Sequence, residues 1–148
     1  MATVYGVTAT AQYTGGLANK LGVGYVNGRV KVYRDTYAAD ASASGTVIQV
    51  AGYGTTGYLP KGARILAIAI STSVAQASVT VSVGDLTSAT RYVSASTALQ
   101  TAGAIVWYGG NDVVVGTSTG DNYLLLTTGG ASLGSTGTII VDVYFTTD

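Results

Sequence analysis

The residues best suited to covalent chemistry lie in segment 130–134, Gly-Ala-Ser-Leu-Gly, which matches the Gly-x-Ser-x-Gly pattern around a hydrolase nucleophile. Such a serine needs a base to accept its proton, and the usual base is histidine. The sequence contains no histidine, and no helix-forming segment follows Ser132. We therefore interpret this segment as a glycine-rich connection before the last strand, and the sequence predicts no catalytic residue.

A second glycine pattern, in segment 52–57, matches the spacing of a dinucleotide-binding loop. That loop works only when it opens a helix, because the helix N-terminus holds the pyrophosphate. Here Tyr58-Leu59-Pro60 and a predicted strand follow. We interpret the segment as a surface loop, and no cofactor is predicted.

All seven acidic residues are aspartates, and five lie in the second half of the chain: Asp85, Asp112, Asp121, Asp142 and Asp148. A pair of carboxylates in a cleft can act as a glycosidase pair. Three of the five, however, lie in turns with glycine or asparagine, where Asx hydrogen bonding explains them. No Asp-x-Asp-x-Asp spacing occurs, and cysteine is absent as well as histidine. The sequence predicts no metal site and no enzyme, with a Ca²⁺ ion in a loop as the alternative.

The low charge content indicates what kind of surface the folded chain presents. Charged residues make up 9% of the 148 residues, against about 25% in an average soluble domain. A surface of this kind favours assembly, because removing charges from water is costly. The alternative is a soluble β-protein whose surface is rich in Thr and Ser. No apolar run approaches the length of a membrane span, and the first residues do not form a signal peptide.

The net charge is zero, but its distribution along the chain is uneven. Residues 1–64 carry six basic and two acidic side chains, and residues 65–148 carry one basic and five acidic side chains. The basic residues of the first half are too few for a nucleic-acid-binding surface, which shows a dense Lys/Arg stripe. The basic half is suited instead to an acidic protein surface or to another copy of the chain.

Nine segments with alternating or continuous apolar residues, separated by turn residues, are predicted to be strands. They are Val30–Tyr33, Thr46–Val50, Ala63–Ser71, Ala77–Val83, Arg91–Val93, Ala104–Tyr108, Asp112–Val115, Asn122–Thr127 and Thr138–Thr146. Helix signals are nearly absent, and Ser94–Thr101 is interpreted as a loop or a single turn. The predicted fold is all-β: an antiparallel β-sandwich, specifically a jelly roll, over residues 29–148.

Within this pattern, Leu59–Val93 is interpreted as a β-hairpin. Its first strand has Leu66, Ile68 and Ile70 on one face and three other apolar residues on the opposite face. A strand that is apolar on both faces is predicted to be central in its sheet and covered twice. The second strand alternates valine with Ser and Thr, which predicts a half-buried strand.

Residues 1–28 show no sustained period and are rich in Gly, Ala and Thr. They are predicted to form an extended arm that becomes ordered against a partner. Seven of the eleven tyrosines lie at or before Tyr58, which suits an arm that inserts aromatic anchors into a partner. A sugar-binding site on the tyrosines and Trp107 is the alternative.

Four features of the sequence resemble one protein family. They are the Leu-Pro-Lys-Gly-Ala-Arg-Ile segment 59–65, the Gly84-Asp85 turn, the Arg91-Tyr92 pair, and the Thr-Thr-Gly-Gly and Gly-Thr-Ile-Ile-Val-Asp-Val-Tyr segments at 127–130 and 137–144. Together they resemble the small capsid cement or decoration proteins of tailed bacteriophages, which are encoded with the head genes. The resemblance runs from about Val30 to the last residue and does not include the arm.

The resemblance implies a β-sandwich without enzymatic activity that binds the outside of an assembled shell. Its partners would be the major capsid protein and other copies of the chain, with a homotrimer expected. Its location would be the capsid exterior of the virion, after synthesis in the host cytoplasm. No nucleic acid, membrane or cofactor is implied.

The predicted partner contacts combine the arm tyrosines with the basic half of the chain: Tyr5, Tyr13, Lys20, Tyr25, Arg29, Lys31, Arg34, Lys61 and Arg64. The competing function is a carbohydrate- or receptor-binding β-sandwich module of a phage fibre or head appendage.

Overall fold

The computed structural model describes residues 30–50, 52–53, 56–57, 59, 63–85, 87–109 and 124–146. These residues form ten strands: β1 (Lys31–Ala38), β2 (Val47–Val50), β3 (Gly52–Tyr53), β4 (Thr56–Gly57), β5 (Arg64–Thr72), β6 (Thr80–Gly84), β7 (Val93–Ser96), β8 (Val106–Gly109), β9 (Leu124–Gly129) and β10 (Thr138–Thr146). The only helical element among the described residues is the 3-10 helix Ala98–Gln100. The predicted arm, residues 1–28, and the predicted strand Asp112–Val115 lie outside the described residues.

Eight of the strands form two four-stranded sheets. The first sheet has the order β1-β10-β5-β8, and the second sheet has the order β2-β9-β6-β7. All neighbouring pairs are antiparallel, and β3 and β4 form a separate two-stranded ribbon. The inward side chains of both sheets share one core. The predicted class, an antiparallel β-sandwich, is confirmed.

The strand pairing is nested along the chain. β6 pairs with β7, β5 with β8, β2 with β9 and β1 with β10, so each pair encloses the preceding one in sequence. Two further pairings, β5 with β10 and β6 with β9, complete the sheets. The chain changes sheet at every connection between these eight strands except the turn from β6 to β7.

Alternate residues of each strand supply the core. In β10 the buried stripe is the one that the sequence predicts: Ile139, Val141, Val143 and Phe145. Burying a side chain of this size contributes about 1.5–3 kcal/mol, so the inward-facing side chains of the strands supply most of the stabilising free energy. The largest fully buried side chains are Leu59, Ile65, Ile68, Ile70, Leu99, Leu124, Leu126 and Ile139.

β5 departs from strict alternation at one bulge. Ala67 lies opposite Tyr144 and Ile65 lies opposite Phe145, so Leu66 is the extra residue. A bulge shifts the alternation by one position, which places Ile65 in the core and Leu66 on the outer side. The prediction that Leu66 shares a face with Ile68 and Ile70 is therefore wrong. The prediction that this strand is central is confirmed, since it lies between β10 and β8. The prediction that it is covered on both faces is not met throughout, because Leu66 on its outer side is 38% exposed.

Two other predictions for this region need correction. The apolar and alternating segments were predicted to pair as a hairpin, but β5 belongs to the first sheet and β6 to the second. Alternation of apolar and polar residues shows which face of a strand is buried, but it does not show which other strand pairs with it. In addition, Ser94–Ser96 continues strand β7 from Val93, and only Ala98–Gln100 forms the single turn expected of that segment.

The buried side chain of Gln76 joins the loops at one end of the sandwich. Its amide nitrogen donates to the carbonyls of Val74 (3.1 Å) and Thr136 (3.0 Å), and its amide oxygen accepts from the Gly134 N–H (2.7 Å). Its own backbone N–H donates to the Leu99 carbonyl (2.8 Å). One side chain therefore holds the β5–β6 and β9–β10 connections together.

The turn after β6 depends on Gly84. A Cβ atom at this position would overlap the carbonyl oxygen of Ser88 and the backbone of Ala89. The close approach is fixed by a hydrogen bond from the Asp85 N–H to the Ser88 carbonyl, 2.9 Å long. The Gly-Asp pair of the sequence thus marks a backbone contact that only glycine permits.

Asp85 stabilises the same turn through its side chain. Its carboxylate accepts hydrogen bonds from the N–H groups of Thr87 (2.9 Å) and Ser88 (2.8 Å) and pairs with the Arg91 guanidinium at 2.6 Å. The Asx hydrogen bonding predicted for Asp85 is confirmed. Tyr92, which follows Arg91 in the chain, is buried in the core cluster, and this burial raises the pKa of its hydroxyl.

Replacing Gly84 with Ala is expected to lower the free energy of unfolding by about 2–3 kcal/mol, because the added methyl group meets fixed backbone atoms. The matched control is Gly109→Ala, where no atom lies within 4 Å of the new Cβ. The control should change stability by less than about 0.5 kcal/mol. Urea unfolding followed by circular dichroism measures both, and equal midpoints for the two variants would contradict this account.

Replacing Gln76 with Leu is expected to lower the free energy of unfolding by about 2–4 kcal/mol. The change removes three hydrogen bonds made by a side chain that is itself buried, those to Val74, Gly134 and Thr136, at about 0.5–1.5 kcal/mol for each bond. The control, Gln100→Leu, removes a single hydrogen bond to Val79 and should cost about 1 kcal/mol. Chemical unfolding of both variants tests this, and the account is wrong if Gln100→Leu is the more damaging.

Candidate interaction surface

The outer face of the first sheet combines exposed apolar residues with one ion pair. We call it the Trp107 face and define it by eight residues of β1, β5, β8 and β10: Val32, Arg34, Ala67, Ala69, Trp107, Ile140, Asp142 and Tyr144. Their side chains alternate with the core residues of the same strands. The core stripe of β10 thus determines which of its residues form this face.

Register aligns these residues in rows across the sheet. One row runs Arg34, Asp142, Ala69, Trp107, and the next contains Val32, Tyr144 and Ala67. Side chains that lie opposite each other on neighbouring strands are about 5 Å apart and contact one another directly. The first row is therefore polar towards β1 and aromatic towards β8, whereas the second row begins with the apolar side chain of Val32.

The aromatic part is formed by Trp107 and Tyr144. Their ring centroids are 5.0 Å apart and the rings are tilted by 45°. The rings come from strands on either side of β5, and they can meet because β5 has only Ala67 and Ala69 beneath them. Trp107 is 57% exposed, which is unusual for a side chain of its size. An exposed indole supported from below is a rigid contact surface.

The polar part is a bidentate ion pair. The Arg34 Nε and Nη2 groups each donate to one Asp142 carboxylate oxygen, both at 2.7 Å. The Arg34 side chain is 67% exposed, whereas the Asp142 side chain is only 10% exposed. Asp142 raises the pKa of the Arg34 guanidinium, first by accepting its hydrogen bonds and then through its negative charge. The pair leaves the face electrically neutral.

The outer face of the second sheet has a different composition. Its outward residues are mostly hydroxyl and amide side chains: Gln49, Thr80, Ser82, Ser94 and Thr127. Its large hydrophobic residues in the described strands are Val47, on edge strand β2, which is 56% exposed, and Leu125, on β9, which is half-buried. No aromatic residue lies on this face in the described strands. The sandwich therefore has one apolar, aromatic outer face and one hydroxyl-rich outer face.

Three of the predicted contact residues lie on the first sheet. Arg34 is on the Trp107 face, while Lys31 and Arg64 begin β1 and β5 and flank the last residues of β10, Phe145 and Thr146. The structure thus brings Lys31 and Arg64 to the same end of one sheet. The other predicted contacts lie outside the described residues: Tyr5, Tyr13, Lys20, Tyr25, Arg29 and Lys61.

Sequence reasoning did not predict that Trp107, Tyr144 and Asp142 form one surface. The available signal was the alternation in β10, which places Asp142 and Tyr144 opposite the core stripe. The missing information was which strands lie beside β10, because Trp107 approaches Tyr144 only through the pairing of β5 with both β8 and β10.

A hydroxyl and carboxylate cluster at the start of the β1–β2 loop is not suited to catalysis. The Asp40 carboxylate accepts hydrogen bonds from the hydroxyls of Ser42 and Tyr37 and from the Ser42 N–H. The Ser42 hydroxyl, followed by that of Tyr37, lowers the pKa of Asp40. A carboxylate stabilised in this way is a weaker base, so it does not activate Ser42. The cluster instead fixes the loop.

The other chemical candidates are accounted for by the fold. Ser132 is exposed in the β9–β10 connection, which has no helix after it, and Leu133 beside it is buried. Over residues 30–146, in the parts that the structure describes, no three His, Cys, Asp or Glu side chains lie close enough to hold a metal ion. No helix in those parts is long and apolar enough to cross a membrane.

The fold and this face define the protein as a two-sheet antiparallel β-sandwich with one apolar, aromatic outer face. Its fold is similar to that of a chain in the capsid asymmetric unit of cyanophage Pam1, with a TM-score of 0.64 and 23% identity over 82% of this chain and 86% of that one. It is also similar to a chain in the acidic stable capsid structure of Helicobacter pylori bacteriophage KHP30, with a TM-score of 0.50 and 11% identity over 80% and 87%. No protein-family model and no curated protein matches the sequence. At these identities the comparisons establish a shared fold.

Replacing Arg34 with Met is expected to lower the melting temperature, because it removes both hydrogen-bond donors from a carboxylate that is nearly buried. The double variant Arg34→Met/Asp142→Leu removes the stranded charge as well and should melt above the single variant. Calorimetry of the wild type, Arg34→Met, Asp142→Leu and the double variant gives the coupling energy between the two residues. Additive changes in melting temperature would show that the pair does not act as a unit.

Proposed function

We propose that this chain is a structural component of a phage virion that binds the outer surface of the assembled capsid as a cement or decoration protein. The observation that carries the proposal is the shared fold with chains of two phage capsid structures, over four fifths or more of each chain. The protein acts by binding and has no enzymatic activity.

We also infer that the sandwich is a jelly roll. Its support is the nested pairing, in which four successively longer antiparallel pairs are divided between two sheets. Jelly rolls of eight strands are a common architecture in viral capsids. A rigid sandwich of this kind presents two broad faces and two sets of loops to its neighbours.

Binding alone is sufficient for the proposed role. A protein that binds the assembled shell and not its separate subunits raises the stability of the shell by mass action. The low charge content, 9% of all residues, reduces the desolvation cost of the contacts. Several linked sites within one homo-oligomer convert modest affinities into strong attachment to the shell.

The partners in this proposal are the major capsid protein and other copies of the chain, in a homotrimer. The arm, residues 1–28, contributes Tyr5, Tyr13, Lys20 and Tyr25, and the sandwich domain contributes the basic residues Arg29, Lys31, Arg34, Lys61 and Arg64. Single exposed ion pairs contribute little, on the order of 0–1 kcal/mol, so aromatic and apolar contacts supply most of the affinity. The protein is made in the host cytoplasm and is located on the capsid exterior.

A second candidate function has one specific observation in its favour. The exposed Trp107 ring, supported by Tyr144, is the type of platform on which a sugar ring stacks. In this alternative the chain is a carbohydrate- or receptor-binding module of a head appendage or fibre. Binding to an oligosaccharide array in the absence of shells would favour this second function.

The test is to add purified protein to capsids that lack it. We expect the protein to sediment with the capsids and to raise the temperature at which they release DNA. Deletion of residues 1–28 should weaken binding more than Lys31→Ala or Arg64→Ala does, because the arm carries aromatic anchors. Capsids that bind no protein, or that are equally heat-resistant with and without it, would refute the cement role.

A further inference from the structure

We propose that the Trp107 face is the surface that lies against the shell, and that its occupant is an apolar patch of a capsid subunit with a hydrogen-bond acceptor opposite Arg34. This inference rests on the proposed function and specifies the site through which it acts. It differs from the expectation that the basic half of the chain defines the contact, because most of the face is apolar and aromatic.

The first argument is the contrast between the two outer faces. A protein on the outside of a particle needs one surface that tolerates removal from water and one that stays hydrated. The Trp107 face has Trp107, Tyr144, Val32 and Ile140, whereas the outer face of the second sheet is rich in Ser and Thr. Removing the first face from water is favourable at about 25 cal/mol per Å² of apolar surface. The second face is suited to remain in solvent.

The second argument is the residue types that meet on the face. Trp, Tyr and Arg are the residues that most often dominate the binding energy of protein interfaces. Here one of each is held by its neighbours: Trp107 by ring contact with Tyr144, and Arg34 by two hydrogen bonds to Asp142. Side chains that are already fixed lose little conformational entropy on binding.

The third argument is the unused hydrogen-bonding capacity of Arg34. A guanidinium has five N–H donors, and Asp142 accepts from two of them. The other three donors have no hydrogen-bond acceptor among the described residues, and the side chain is 67% exposed. Because Asp142 already balances its charge, these donors favour a carbonyl or a single carboxylate within an apolar patch over a strongly acidic surface. The complementary partner is therefore an apolar protein surface with one such acceptor.

The area of the Trp107 face favours a capsid subunit over a second copy of this chain as its occupant. Four strands at about 4.8 Å spacing and up to nine residues at about 3.3 Å give a face of about 500 Å². Two copies pressed together would bury about 1,000 Å² in total, below the roughly 1,600 Å² of a standard stable interface. Such a contact is weak alone and becomes strong when several copies, linked in one homo-oligomer, bind neighbouring subunits of one shell.

The experiment compares matched substitutions on the two faces in capsid cosedimentation. Val32→Ser and Val47→Ser make the same change at sites of nearly equal exposure, 52% and 56%, on the first and second sheets. We expect Val32→Ser to weaken binding about fivefold and Trp107→Ser about 30-fold, and Val47→Ser to leave it unchanged. Circular dichroism and melting temperature should match the wild type in all three, because each side chain is more than half exposed.

Other outcomes assign the face differently and overturn the inference. If wild-type protein binds and Val32→Ser and Val47→Ser bind equally well, this inference fails and the proposed function stands. If Trp107→Ser converts an oligomer to monomers, the occupant is a second copy. If it abolishes oligosaccharide binding and leaves capsid binding intact, the occupant is a glycan. If the wild type does not bind capsids, the proposed function fails and this inference falls with it.

Discussion

The sandwich depends on the insertion of its last two strands between strands formed much earlier in the chain. β10 lies between β1 and β5, and β9 lies between β2 and β6. In the described residues β1 has no other strand partner, so the first sheet is incomplete until β10 is in place. Contacts that join Lys31 to Phe145 close a long loop and favour slow, cooperative folding. Neither sheet is therefore complete until the last two strands are in place.

The same constraint couples the core to the Trp107 face. β10 contributes Val141 and Val143 to the core and Asp142 and Tyr144 to the outer side. Because successive side chains of a strand point in opposite directions, a shift of register by one residue would exchange the two sets. The core therefore sets the position of the ion pair and of the aromatic contact. A surface used for docking gains precision from this arrangement, since it is built on strands rather than on loops.

The all-β class and several strand positions could be predicted from the sequence, because alternation reports directly which residues face the core. β10 was predicted with its observed ends, Thr138 and Thr146. The bulge at Leu66 could not be predicted, since an unbroken apolar run fits two registers equally well. The assignment of β5 and β6 to different sheets depends on pairings distant in sequence. The role of Gln76 was also hidden, because a lone glutamine in a small-residue loop has no distinctive pattern.

The position of Trp107 also determines what an optical measurement of this protein reports. It is the only tryptophan in the chain, and more than half of its surface meets solvent in the folded state. In most domains the emission of tryptophan shifts on unfolding because the indole leaves a dry core. Here the indole is already exposed to water, so its emission changes little when the sandwich unfolds. Its emission shifts to shorter wavelength when another molecule covers it. The protein therefore contains its own fluorescent indicator of occupancy on that face.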